Sequence, residues 1–160
     1  MSNFSVGASL GQTGKITDIH NSSSFGLLAG YKINSRFGVE LAYNSLYRSA
    51  NADAWLSATY PGTTGTFYLT SVSVAGQYTY GLGRNLSLLG NLGLHRSSFK
   101  IKSSGSGATT GNSNGLVVGV KVQYDFSNRV GIRVGFDTYT ESGGLTGNVT
   151  EVGMAVITRF

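Results

Sequence analysis

Apolar residues alternate with small or polar ones along most of the chain, and this period of two is the signature of strands with two chemically different faces. In 4–10, Phe4, Val6, Ala8 and Leu10 fall on one parity and Ser5, Gly7 and Ser9 on the other. The pattern recurs in 25–33, 37–44, 67–80, 86–96, 116–126, 130–139 and 151–160. Leu28 and Leu89 interrupt it, each placing a leucine on the small-polar face. Each segment predicts one strand of roughly ten residues, the length that a tilted strand needs to cross a bilayer. The connections alternate too: 34–36, 81–85 and 127–129 read as tight turns, whereas 11–23, 45–66, 97–114 and 140–148 read as long Gly/Ser/Thr/Asn loops, one holding the only proline, Pro61. Eight antiparallel strands in up-and-down order are predicted, forming one barrel domain over 1–160.

The direction each face points decides the class. A small soluble barrel packs apolar side chains inside, but here the narrow interior of eight strands suits Gly, Ser and Ala with a few long polar side chains. The faces of Val, Leu, Phe and Tyr must then point outward, and in water they would leave an apolar belt far larger than a soluble monomer tolerates. Lipid is the fitting solvent, and barrel closure pairs every backbone N–H and C=O within it. Aromatic residues gather at segment ends, with Phe4, Tyr31, Phe37, Tyr78, Tyr80, Tyr124, Phe126 and Phe160 toward the short turns and Tyr43, Tyr47, Phe67, Tyr68, Phe99 and Tyr139 toward the long loops. They predict two interfacial girdles.

Composition agrees, with 12% charged residues, 24 glycines and no apolar run long enough for a spanning helix. The net charge of +5 comes from Lys and Arg scattered singly, so no basic face for nucleic acid can be drawn. The absence of cysteine excludes disulfides and thiolate sites. Residues 1–11 lack the basic stretch and apolar core of an export signal.

The turn segments Gly30-Tyr31-Lys32-Ile33-Asn34-Ser35-Arg36-Phe37-Gly38-Val39-Glu40-Leu41 and Tyr124-Asp125-Phe126-Ser127-Asn128-Arg129-Val130-Gly131-Ile132-Arg133-Val134 resemble the first and third turns of the OmpA-like eight-stranded outer-membrane barrels, the group of the Opa, OmpX and NspA-type surface proteins. The likeness spans the chain. Terminal Phe160, with Val156, Met154 and Val152 on its face, resembles the signature that the barrel-assembly machinery reads. The resemblance implies a multi-pass protein of the bacterial outer membrane, expected to be monomeric among outer-membrane lipids and lipopolysaccharide, without cofactor or metal. It also implies a plug in which an acid on the third strand meets an arginine on the seventh, here Glu40 and Arg133. Gln77 and Gln123 stand where the family has a second acid and base.

By parity, Lys32, Glu40, Lys121, Asp125, Arg133, Asp137, Glu151 and Arg159 share the lumen with Gln77 and Gln123. Buried charges are costly unless paired, so these residues are expected to form one polar network. His95-Arg96-Ser97 resembles the His-x-Ser of outer-membrane lipid A deacylases, but His95 has lumenal parity and no evident carboxylate to orient it. His20, in a long loop, is less specific still, and two histidines without neighbouring carboxylates make no zinc site. The expected function is therefore non-enzymatic: a surface protein whose four long loops serve adhesion or partner contact, with a low-conductance pore and a lipid-modifying enzyme as alternatives.

Overall fold

The computed structural model describes residues 3–15, 18–48, 65–103, 106–141 and 148–160. Eight strands follow in chain order: β1 (Phe4–Lys15), β2 (Asp18–Lys32), β3 (Phe37–Arg48), β4 (Gly65–Gly81), β5 (Leu86–Ser103), β6 (Ser106–Asp125), β7 (Val130–Glu141) and β8 (Val149–Arg159). Each pairs antiparallel with the next, and β1 with β8 closes the barrel in a ladder from Ser5↔Arg159 to Gly14↔Thr150. No sheet edge is left, so the ladder satisfies the backbone without water.

The two parities become the two surfaces. Outward residues such as Leu27, Leu41, Val74, Leu92, Val120, Val134 and Val156 are exposed, while Glu40, Asn91, Gln123 and Arg133 on the opposite parity are buried. Among the described residues four leucines or isoleucines point inward, Leu28, Leu69, Leu89 and Ile157, and Leu89 and Ile157 are among the most buried side chains of the barrel. Capping side chains hold the short turns: Asn34 Oδ1 accepts from the amides of Arg36 (2.9 Å) and Phe37 (2.8 Å), and Ser127 Oγ accepts from those of Arg129 and Val130. Each turn is tied to the next hairpin by one backbone bond, as in Thr79 N–H to Arg36 O (2.7 Å) and Arg159 N–H to Arg129 O (2.7 Å).

The predicted loops need correction. Residues 11–15 and 18–23 are strand rather than loop, as are 97–103 and 106–114, so β1–β2 and β5–β6 run on as hairpins well beyond the apolar belt. Their ladders continue through Thr13↔Ser22 and Lys100↔Thr110. Above the membrane the outward face meets water instead of lipid, so the apolar–polar alternation that marks a strand disappears while the backbone pairing persists, with Thr13, Ser97 and Ser113 still buried on the inward parity. The connections at 49–64, with Pro61, and at 142–147 lie outside the described residues, as do the side chains of His20, Tyr47, Phe67, Tyr68 and Phe99.

Tyr139 also departs from expectation. The gathering of aromatics places it in the girdle toward the long loops, yet it shares the parity of Arg133 and Asp137 and is buried in the lumen. Strand parity outranks the tendency of aromatic residues to gather at interfaces.

Candidate functional site

The lumen is filled at mid-height around Glu40. Adjacent strands bring its partners to one level, since β3 pairs with β4 through Glu40↔Ala75 and Gly38↔Gln77, and β6 with β7 through Gln123↔Arg133 and Lys121↔Gly135. Glu40 forms ion pairs with Arg133 and with Lys121 Nζ (3.1 Å). It also accepts hydrogen bonds from Gln77 Nε2 (3.2 Å) and Asn91 Nδ2 (3.3 Å). Four side chains from four other strands thus converge on one carboxylate, and with this many donors a buried charge is tolerable.

The network extends both ways from this node. Toward the loops, Lys121 Nζ also meets Asp137 at 2.9 Å. Toward the short turns, Arg133 donates through Nε and Nη2 to Gln123 Oε1 at 3.1 and 2.9 Å. Gln123 Nε2 then donates to Asp125 (3.0 Å), which is paired with Arg159 at 2.6 Å. Voids of about 50 Å³ lie on the loop side and on the turn side of Glu40 and Arg133, each with room for a few water molecules only.

Two of the residues expected in this network stand apart. Lys32 ends β2 at the barrel mouth, exposed, and among the described residues it joins no ion pair; at that height water solvates its ammonium and nothing draws it inward. Glu151 is lumenal but belongs to a separate cluster nearer the loops. It accepts from Ser24 Oγ (2.6 Å) and from the Tyr139 hydroxyl (3.5 Å), which itself accepts from Asn44 Nδ2 (2.6 Å). Ser24, Asn44, Asn91 and Tyr139 were missed as site residues. The signal that finds them is the parity they share with Glu40, because a short neutral polar side chain on that parity has nowhere else to go.

His95 packs edge-on against Tyr139, with ring centroids 5.2 Å apart. Its Nδ1 lies 3.0 Å from Ser97 Oγ and its Nε2 3.1 Å from the Thr140 carbonyl oxygen. The carbonyl oxygen can only accept, so Nε2 donates to it, and in the neutral ring Nδ1 is then the acceptor for the serine hydroxyl. A base and a nucleophile therefore touch, but both are 3% exposed inside the barrel, and among the described residues no carboxylate orients the ring. Phe160, at the opposite end, is exposed beside Phe4, with ring centroids 6.4 Å apart.

The sequence profile of the outer membrane protein beta-barrel domain family matches residues 2–160. No curated protein matches the chain by sequence. Among solved structures, the neisserial surface protein A superposes with a TM-score of 0.76 at 18% identity, covering 99% of this chain and 98% of its own. Ail of Yersinia pestis, the attachment invasion locus protein, in complex with the heparin analogue sucrose octasulfate, gives 0.64 at 18% identity over 98% and 96%. The outer membrane enzyme PagL gives 0.57 at 12% identity over 98% and 99%. At such identities the likeness carries the fold and nothing about activity, since barrels of this shape include a surface protein and an enzyme.

Proposed function

The chain belongs to the outer membrane protein beta-barrel domain family, and from that premise we propose a single-domain, multi-pass barrel of the bacterial outer membrane, with a plugged lumen and no catalytic site, that acts through the surface its hairpins present outside the cell. Adhesion or contact with a partner is the role assigned to that surface. The observation that carries the plug is the node at Glu40, where Arg133, Lys121, Gln77 and Asn91 all end on one carboxylate across the lumen. An eight-stranded interior has little space beyond its own side chains, so an occupied centre stops ion flow. The lumenal network of Lys121, Gln123, Asp125, Asp137 and Arg159 would brace that node toward both ends, and Phe160 would be read by the assembly machinery. Long paired strands above the belt support the surface role, because β5 and β6 remain laddered to Ser103↔Ser106 and extend a two-stranded arm outward.

One observation favours an enzyme, the 3.0 Å contact between His95 Nδ1 and Ser97 Oγ. Both groups face the packed lumen, so an acyl chain in the bilayer cannot reach the hydroxyl, and the non-enzymatic reading is preferred. Planar-bilayer recording with purified protein is the deciding experiment. Small, rare openings are expected, and large persistent channels would make transport the leading function. Hydrolysis of purified lipid A by the unmodified barrel, lost in Ser97→Ala, would instead revive the enzyme.

A further inference from the structure

The short-turn end of the barrel opens into a vestibule of about 800 Å³ whose lining includes Lys32, Arg84, Arg129 and Arg159 but a single acidic side chain, Asp125. That acid is already paired with Arg159 at 2.6 Å. Among the described residues Lys32, Arg84 and Arg129 take part in no ion pair, in contrast to Lys121 and Arg133 deeper in the lumen. They approach from separate elements: the end of β2, the β4–β5 turn and the β6–β7 turn. Asn34 lines the same space, and because its Oδ1 is taken by the amides of Arg36 and Phe37, its NH₂ is the group left to donate to a ligand.

Cations of one sign around a concave space with low-dielectric walls raise the local concentration of anions, and the barrel wall with its surrounding lipid provides such walls. Guanidinium forks arriving from different sides match an anion with several oxygens, and phosphate is the group they bind bidentately. Arg159, Asp125 and Gln123, joined in sequence, lie between the vestibule and the Glu40 node. The space lies at the mouth of the barrel, framed by the turns and the strand ends and not by the apolar belt, so the occupant comes from the aqueous side.

We propose that this vestibule is a binding site for a polyvalent phosphate-bearing anion in the aqueous compartment at the short turns, the periplasm on the outer-membrane reading given above. The site is formed by Lys32, Arg84 and Arg129 with Asn34 as a neutral donor. It needs neither a sealed nor a conducting lumen, so conductance and anion binding succeed or fail separately.

The test is calorimetric titration of inorganic tripolyphosphate into the barrel held in phosphatidylcholine nanodiscs. Saturable binding that weakens as salt rises is expected. The Arg84→Gln/Arg129→Gln variant should bind at least tenfold more weakly, with partial recovery when both positions are lysine. Arg96→Gln/Lys100→Gln, which removes two exposed cations beyond the far end of the belt, should bind like the unmodified barrel. Lys32→Gln, which alters no turn, gives an independent measurement if the double turn variant does not fold. Absence of saturable binding overturns the proposal, as does undiminished affinity in the folded turn variants, or an equal loss in the far-end control.

Discussion

Glu40 and Arg133 are partners of unequal dependence. Removing the carboxylate leaves Arg133 with Gln123 as its only other bonded side chain among the described residues, whereas removing the guanidinium leaves Glu40 still held by Lys121 at 3.1 Å. Glu40→Ala is therefore expected to destabilise the barrel by about 3–5 kcal/mol, reduced by whatever lumenal water enters, and Arg133→Ala by less. Urea unfolding in lipid vesicles of the two single variants and the double would show a loss smaller than the sum; simple additivity would mean that the pair does not interact. Tyr139 gives a second test at this scale. Tyr139→Phe deletes the hydroxyl that bonds Asn44 and Glu151 inside the barrel and is expected to cost about 1–3 kcal/mol, because buried polar groups lose their partners. Tyr124→Phe, on an exposed girdle residue, should be nearly neutral in the same assay.

At the scale of the strand, β5 carries two glycines with opposite demands. Gly93 faces the lumen, and a Cβ there would meet the Val74 carbonyl oxygen and Ala75 Cα, with the Ala75 Cβ at 2.7 Å. Gly90 faces outward and a Cβ there would meet nothing within 4 Å. Gly93→Ala is thus expected to destabilise by about 1–3 kcal/mol through overpacking, and Gly90→Ala to be neutral or slightly stabilising by restricting the unfolded chain. Comparable losses at both positions in a refolding titration would contradict the assigned orientation of β5. Parity also explains what was legible beforehand. It located all eight strands, the lumenal side of Glu40, Gln123 and Arg133, and the turns at Asn34 and Ser127, because one face of each strand meets lipid and the other meets packed polar groups. It failed for 97–103 and 106–114, where the outward face meets water instead of lipid, so that Ser, Thr, Gly and Asn occur on both parities and serve strand and loop alike. The convergence on Glu40 was only partly legible. Which lumenal groups meet depends on how far each strand is staggered against the next, and alternation within one strand carries no record of that stagger.

The whole molecule is organised by height. Along β6 the outward residues run from Thr110 and Asn112 through Leu116, Val118, Val120 and Val122 to Tyr124. From Leu116 to Tyr124 a strand rises about 27 Å at the usual spacing, or about 20 Å along the barrel axis when tilted by about 40°, and Phe126 extends the band toward the roughly 25 Å apolar height of such barrels. Beyond Leu116 the same outward parity turns polar while the ladder with β5 continues, so the apolar belt ends where the sequence changes and not where the strand does. The cost of a charge should follow that profile. Val120→Arg, near the middle of the belt, is expected to destabilise by about 2–4 kcal/mol in bilayers, and Val134→Arg on the neighbouring strand to behave alike, since Val122↔Val134 and Val120↔Phe136 put it at nearly the same level. Thr110→Arg, on the same face of β6 but past the belt, should cost about 0–1 kcal/mol, because water solvates a guanidinium there. Folding free energies measured in vesicles for these three variants would trace the membrane's position on the barrel; equal tolerance at Val120 and Thr110 would mean that the outward face of β6 is not in lipid.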